Sequence, residues 1–247
     1  MTPRLLTALC LAALAATAAD RAQAQGGPEW QVTVQPYVWA TGVSGTIRPT
    51  AASPTFSFNQ SIGESLSIVD GAFALAVYAR RERFVMLGDF WTVSTARGGI
   101  VPPGLPARAA TGQTIVSLAA GYRAWSDQTA ALDVYAGIRA FWLDGTVEVP
   151  AGTPVASRSV SFVDPIIGLR YDAQVAPRWS ATLQADIGGF GVGSRFTAVG
   201  TGLLNYHVND SLTLSGGVRL MNIAYDDGAT KADITLAGPM LALAWRF

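Results

Sequence analysis

Residues 132–140 read LDVYAGIRA and alternate between two classes of side chain. One parity carries Leu, Val, Ala, Ile and Ala, whereas the other carries Asp, Tyr, Gly and Arg. Similar alternation recurs in residues 163–172, 183–187 and 212–221. Because successive side chains of a strand point to opposite faces, this pattern predicts long strands with one apolar and one polar face.

The length of these segments separates a soluble sheet from a membrane barrel. Strands of soluble proteins average five or six residues, whereas a tilted membrane-spanning strand needs about 9–11. The predicted strands lie at 30–42, 70–80, 83–96, 112–125, 131–148, 158–175, 179–190, 196–208, 211–225 and 231–247. Tight polar turns are predicted at 80–83, 126–129, 176–178 and 209–211, and looser connections at 43–69, 97–111, 149–157, 191–195 and 226–230.

Short turns at one end and longer loops at the other are typical of outer-membrane barrels. The sequence therefore predicts an all-β fold, a transmembrane antiparallel up-and-down β-barrel of ten strands with both termini on the periplasmic side. A hairpin near residues 56–59 would change the count by two, so eight and twelve strands are the alternatives.

The composition excludes several classes of protein. Lys and Arg number 17 against 17 Asp and Glu, only 14% of residues are charged, and 50% are hydrophobic. The mean hydropathy is +0.30. A nucleic-acid binder would carry a basic patch, and a disordered chain would have far fewer apolar residues.

The first residues carry the features of an export signal. Arg4 precedes an apolar run at residues 5–19, and Ala22-Gln23-Ala24 is a small-x-small cleavage site. This predicts a signal peptide at 1–24 and a barrel domain at 25–247. The single cysteine, Cys10, lies in the signal peptide, so the mature chain has no disulfide and no cysteine-based metal site. We expect no metal and no cofactor.

The tryptophans predict two aromatic belts. Rings with an N–H group gather at both membrane–water interfaces because they are apolar but also need a hydrogen-bond partner. Trp30, Trp125, Trp179 and Trp245 fall near the periplasmic strand ends, and Trp39, Trp91 and Trp142 fall near the opposite ends.

The last strand carries a more specific signal. Leu241, Leu243, Trp245 and Phe247 share one parity, and a final strand of alternate hydrophobics ending in Phe resembles the signal read by the barrel-assembly machinery of Gram-negative bacteria. Residues 164–170, DPIIGLR, and 186–194, DIGGFGVGS, resemble motifs of an uncharacterised family of proteobacterial outer-membrane β-barrel proteins. This resemblance implies a barrel in the outer membrane and no catalytic residue.

The charged residues of the polar parity are expected to face the lumen, because a charge facing lipid at mid-depth costs about 2–4 kcal/mol. Gly-x-Arg occurs at 121–123, 137–139, 168–170 and 217–219, and each Gly leaves room for its Arg. The predicted lumen charge network consists of Asp89, Arg123, Asp133, Arg139, Asp164, Arg170, Asp172, Asp186, Arg219 and Arg246. A ten-stranded barrel is narrow, so the network is either a salt-bridged plug or a narrow polar conduit for a small charged solute.

An enzyme is the third interpretation. The only histidine, His207, lies beside a predicted short turn, so no general base is expected near the outer rim and the chain is predicted to be non-enzymatic. The Gly-rich stretch 188–194 is interpreted as a hairpin loop, since no helix follows it to bind phosphate.

The sequence thus predicts an integral outer-membrane protein of structural or surface-interaction type, with a narrow pore or transporter as the alternative. Its expected partners are outer-membrane lipid, lipopolysaccharide and the barrel-assembly machinery, and not nucleic acid. Loop 43–69 is the candidate contact surface, and Arg97, Arg108 and Arg158 are candidate contacts to lipopolysaccharide phosphates.

Overall fold

A computed structural model of the chain describes residues 29–48, 50–101, 105–149 and 153–247. These residues contain twelve strands and one short helix. The strands are β1 Gln31–Trp39, β2 Gly42–Arg48, β3 Phe56–Gln60, β4 Val69–Arg81, β5 Phe84–Val101, β6 Leu105–Ser126, β7 Ala130–Val149, β8 Thr153–Ala176, β9 Trp179–Gly188, β10 Phe196–His207, β11 Leu212–Asp226 and β12 Lys231–Arg246, and the helix is α1 Ile62–Ser67. The predicted signal peptide at 1–24 lies outside the described residues.

Antiparallel pairing closes the strands into a barrel. From β4 to β12 each strand pairs with the next one in the chain, and β12 pairs with β1, which in turn pairs with β4. The seam between β12 and β1 runs from Arg246 opposite Thr33 to Met240 opposite Trp39. The predicted closed antiparallel β-barrel is confirmed.

The twelve strands form a barrel wall that is only ten strands wide, because two positions in the wall are each filled by two successive strands. We call each of the ten positions a stave. β2 continues β1 along the same edge of β12, where residues 42–48 face residues 237–231. β3 pairs with β2 and β4 pairs with β1, so β3 and β4 together form the neighbouring stave. The hairpin that would have given twelve strands is present, but it lengthens the first two staves and adds none. The predicted count of ten is therefore confirmed for the described residues.

The two ends of the barrel differ. At the end that we call the short-turn end, the connections are 82–83, 127–129, 177–178 and 208–211. In one of these turns the carboxylate of Asp127 accepts the backbone N–H groups of Thr129 and Ala130 at 2.7 and 2.8 Å. These two hydrogen bonds hold the pKa of Asp127 below its usual range and fasten the turn.

The opposite end, which we call the long-hairpin end, corrects two predicted loops. Residues 97–111 and 149–157 belong mostly to strands, since β5 and β6 stay paired from Phe84–Tyr122 to Val101–Leu105. Side chains also link these extensions, as in the 2.7 Å hydrogen bond between Thr95 Oγ1 and Thr111 Oγ1. The prediction failed because backbone pairing does not need the apolar alternation on which it relied.

Helix α1 lies between β3 and β4 and begins with a capping box. The Ser61 hydroxyl accepts the N–H of Glu64, and the Glu64 carboxylate accepts the N–H of Ser61 at 2.8 Å. The Ser61 hydroxyl also donates to this carboxylate at 2.7 Å, and the two hydrogen bonds that the carboxylate accepts from Ser61 lower the pKa of Glu64. No helix among the described residues is long and apolar enough to cross a membrane.

An apolar band covers the outer face of the barrel. On β7, Val134, Ile138 and Trp142 are 43%, 50% and 45% exposed, and the next outward position is Asp144. Comparable exposed side chains on other strands are Met86, Leu118, Ile167, Leu183, Leu204, Leu220 and Leu241. The band on β7 covers residues 132–142, which matches the roughly 9–11 residues that a tilted strand needs to cross a bilayer.

Two tryptophans do not belong to the predicted belts. Trp30, Trp125, Trp142, Trp179 and Trp245 are between 40% and 49% exposed. Trp39 and Trp91 are instead buried inside the barrel, with ring centroids 5.6 Å apart. The belts were predicted from height along the strands, whereas parity decides the face: Trp39 shares the inward parity of Tyr37, and Trp91 shares that of Asp89.

Candidate functional site: charged layer and vestibule inside the barrel

The most buried ion pair joins Arg139 on β7 to Asp186 on β9. The guanidinium donates two hydrogen bonds to the carboxylate, at 2.8 and 3.0 Å, and a third from Nε to the Ser117 hydroxyl at 2.9 Å. The two side chains are only 3% and 1% exposed. This bidentate geometry is the strongest form of Arg–carboxylate contact and satisfies most of the donors that burial removes from water.

A second pair spans the lumen from β11 to β5. Arg219 contacts both carboxylate oxygens of Asp89 at 2.8 and 3.0 Å. The Tyr37 hydroxyl accepts from Arg219 at 2.8 Å and donates to Asp89 at 3.1 Å. The guanidinium carbon also lies 5.2 Å from the Trp39 ring centroid, which adds a cation–π contact. We call Arg139–Asp186 and Arg219–Asp89 the central ion pairs.

Two further pairs lie on the short-turn side of the central ion pairs. Arg123 binds both oxygens of Asp133 at 2.8 and 3.2 Å. Arg170 binds Asp172, on its own strand, at 2.8 and 2.9 Å, and its guanidinium carbon lies 4.8 Å from the Tyr78 ring centroid. The Tyr78 hydroxyl donates to Asp133 at 2.6 Å and so connects the two pairs.

Asp164 corrects the predicted network. Its carboxylate is fully buried but binds no arginine of the described residues, and instead accepts the backbone N–H and the hydroxyl of Ser194, each at 2.7 Å. The Gly-rich loop brings Ser194 there by passing close to β8, since a Cβ on Gly193 would lie 2.4 Å from the Val163 carbonyl oxygen. The loop, rather than an arginine, therefore satisfies Asp164.

Arg246 is the second correction. Its side chain is exposed at the short-turn end, and within the described part of the chain no salt bridge to it is present. The position is the last of β12.

An apolar plug fills the lumen on the long-hairpin side of the central ion pairs. On three strands the inward residue after the charged one is apolar: Trp91 follows Asp89, Phe141 follows Arg139 and Met221 follows Arg219. The buried residues of the apolar core that contains the plug are Tyr37, Trp39, Ala74, Trp91, Ile115, Phe141, Phe162, Val199, Leu203, Met221, Ile223, Leu236 and Met240, of which Tyr37 lies level with the central ion pairs and Leu203 lines the open cavity at the short-turn end. The aromatic rings of the plug stack, with Phe141 and Phe162 centroids 4.5 Å apart.

A polar cavity of about 460 Å³ opens at the short-turn end, and we call it the vestibule. Its lining includes hydroxyl, amide, guanidinium and imidazole groups from Thr33, Arg80, Arg170, Asn205 and His207. A smaller cavity of about 70 Å³ lies among the central ion pairs. The lumen thus has an open polar cavity at the short-turn end, ion pairs in the middle and an apolar plug toward the long-hairpin end.

The sequence predicted the inward face of the charged residues but not their tyrosine partners. Tyr37, Tyr78 and Tyr135 each place a hydroxyl on a network carboxylate. The parity of each tyrosine along its strand indicates the inward face, but this alone did not identify the tyrosines as partners of the carboxylates, because tyrosine is also enriched at lipid interfaces. His207, which was expected beside a turn, faces the vestibule and contacts Ser180 and Thr213.

The candidate surface residues have local partners. Arg108 binds Asp70 at 3.0 Å and Arg158 donates to the Thr230 hydroxyl at 2.9 Å. Their contact with lipopolysaccharide, and that of Arg97, stays a prediction. Among the described residues no cluster of three or more His, Cys, Asp or Glu side chains is arranged to hold a metal ion.

Comparison with known proteins finds likeness at the level of structure only. No family model matches the chain, and no curated protein matches it. Among solved structures, Ail, the attachment invasion locus protein of Yersinia pestis, is 11% identical, with a TM-score of 0.43 over 89% of this chain and 99% of that one. The translocator domain of the autotransporter NalP from Neisseria meningitidis is 10% identical, with a TM-score of 0.42 over 99% and 98%. The toluene transporter TodX of P. putida is 10% identical, with a TM-score of 0.33 over 91% of each chain. Because all three scores are below 0.5, the strand pairing of this chain, and not these likenesses, establishes its fold.

Proposed function

We propose that this chain is an integral outer-membrane β-barrel with a sealed lumen, which acts structurally or through its surface rather than as a diffusion pore. The exposed apolar band supports the membrane location, since soluble monomers rarely expose contiguous apolar patches larger than a few hundred Å². Leu118, Val218 and Leu241, on three different strands, are 58%, 63% and 69% exposed. Lipid is the solvent in which such a surface is stable.

The observation that carries the proposal is the double seal inside the barrel. The central ion pairs cross the lumen, and the apolar plug fills the next layer, where Ile115 and Phe141 are 1% and 0% exposed. A barrel of ten staves is only slightly wider than an eight-stranded barrel, and side chains alone can fill the interior of an eight-stranded barrel. An ion would therefore have to displace both a hydrogen-bonded charge layer and a dehydrated aromatic layer.

Surface elements beyond the band support an interaction role. The strands β5 to β8 extend past the apolar band, to Val101 and Val149 on two of them. In the candidate contact surface 43–69, Phe56 and Leu66 are each 53% exposed beside the β2–β3 hairpin and α1. With the short-turn end in the periplasm, these elements lie outside the cell.

Planar-bilayer recording tests the sealed lumen. We expect the wild-type barrel to give no stable conductance steps, because neither seal leaves a continuous aqueous path. A variant with Trp39→Ala, Trp91→Ala and Arg219→Ala removes side chains from both seals and is expected to gain conductance. Folding of both proteins is checked by their heat-dependent mobility on SDS gels.

Regular conductance steps of the wild-type protein would contradict the sealed lumen and favour the narrow pore. Arg108→Ala is the matched control for loss of an arginine, since the Arg108–Asp70 pair is exposed and lies outside the lumen seals. It should conduct no more than the wild type.

A further inference from the structure

The only histidine of the chain makes an unusual set of contacts in the vestibule. His207 Nε2 lies 2.9 Å from the Ser180 hydroxyl, and its Nδ1 lies 3.0 Å from the Thr213 hydroxyl. The three side chains come from β9, β10 and β11, which are adjacent staves. A hydroxyl, an imidazole and a third group that orients the imidazole form the arrangement that activates a nucleophile.

A hydrogen-bond chain accommodates the tautomer that this chemistry needs. Asn205 Nδ2 donates to the Ser180 hydroxyl oxygen at 3.3 Å and to Thr182 at 2.9 Å, and Thr182 donates in turn to Asp172. The Ser180 oxygen accepts from Asn205, and its own hydrogen points to His207 Nε2 in the tautomer that carries the ring proton on Nδ1. The Nδ1–H group of His207 then donates to Thr213, and Nε2 is left as the base.

The vestibule also offers space for a substrate. Ser180, His207 and Thr213 all line the cavity of about 460 Å³ that opens at the short-turn end. Four arginines, Arg246 among them, line the same cavity against two carboxylates, those of Asp127 and Asp172, so its lining carries a net positive charge. A small ester, particularly one with an anionic group, matches this volume and charge.

We propose that Ser180 is a nucleophile activated by His207, and that small carboxylic esters entering the vestibule acylate it. The Ser180 oxygen bonds to the acyl carbon while its proton passes to His207 Nε2, and the ester C–O bond breaks as that proton moves to the alcohol that leaves. Water then attacks the acyl-serine with His207 as base, which releases the carboxylic acid and restores the hydroxyl. This activity goes beyond the structural or surface role proposed above.

The identity of Thr213 sets the expected rate. A carboxylate at this position would stabilise the imidazolium that forms during the reaction, whereas a neutral hydroxyl orients the ring without compensating its charge. We therefore expect slow turnover, with acylation observable as a burst.

Labelling with a fluorescent fluorophosphonate tests the proposal in the purified full-length barrel in detergent. The probe forms a Ser–O–P bond and releases fluoride, while His207 takes the hydroxyl proton. We expect Ser180 to be labelled in the wild type, no labelling in Ser180→Ala, and labelling at least about tenfold slower in His207→Gln, within the range that a general base contributes. p-Nitrophenyl acetate should give a burst in the wild type that both variants lose.

Ser215→Ala is the matched control, because Ser215 lies in the same cavity on β11 and should label no differently from the wild type. Folding of every variant is checked by heat-dependent mobility on SDS gels. An unlabelled but folded wild-type barrel would overturn the proposal, and so would His207→Gln labelling as fast as the wild type.

Discussion

Replacing Arg139 with alanine is expected to lower the free energy of unfolding by about 3–5 kcal/mol, the range for breaking one side of a buried ion pair. The loss is large because Asp186 is 1% exposed and would lose both of its hydrogen bonds from Arg139. Urea unfolding of the barrel in detergent micelles, followed by tryptophan fluorescence, measures this change.

Two variants make the result specific. Arg108→Ala removes an arginine from an ion pair whose partners are 59% and 60% exposed, and it should cost about 1 kcal/mol or less. The double variant Arg139→Met/Asp186→Leu replaces both charges with apolar groups and should recover most of the lost stability. If Arg139→Ala were as mild as Arg108→Ala, the lumen would be hydrated at this level and the sealed barrel would be wrong.

Replacing Gly238 with alanine is expected to prevent closure of the barrel or to destabilise it by about 3 kcal/mol or more, at the upper end of the range for overpacking. A Cβ at this position would lie 1.8 Å from the carbonyl oxygen of Ala40. Ala40 lies between β1 and β2 and donates its N–H to Pro239 at 3.0 Å, so the clash falls on the seam between the first and last staves. The atoms that the new Cβ would meet belong to the backbone, so no flexible side chain is there to move and relieve the clash.

Loss of the compact, unboiled band on SDS gels would report failed closure. Gly200→Ala is the control, because a Cβ there meets nothing within 4 Å and the strand context favours alanine slightly over glycine. It should leave the band unchanged. Equal gel mobility of Gly238→Ala and Gly200→Ala would show that the first and last staves tolerate a wider separation at the seam than they have in this structure.

Much of the wall of the barrel follows from the sequence because a strand alternates its side chains residue by residue. The segment 132–140 alone separates Val134 and Ile138, which face outward, from Asp133 and Arg139, which are buried inside. Ten staves, the short turns and an inward charged face could all be predicted in this way. The rule is local, so no partner needs to be known.

Heights along the strands predicted that arginines and carboxylates meet inside the lumen, but which carboxylate each arginine binds could not be predicted, since this depends on how strand tilt and register align distant staves. Arg219 reaches Asp89, 130 residues away in the chain, whereas Arg170 turns to Asp172 on its own strand. Asp164 is satisfied by a loop whose path the glycine pattern alone does not reveal.

The sequence by itself determined which side of each strand carries the charged residues, and it predicted ten staves, because period-two alternation belongs to the backbone of each strand. Only the tertiary structure decided that Trp39 and Trp91 help to plug the lumen, and that His207 meets Ser180 across 27 residues. The physical reason is that burial and hydrogen bonding in a closed barrel depend on side chains from many staves converging at one level, and that convergence is set only when the seam closes.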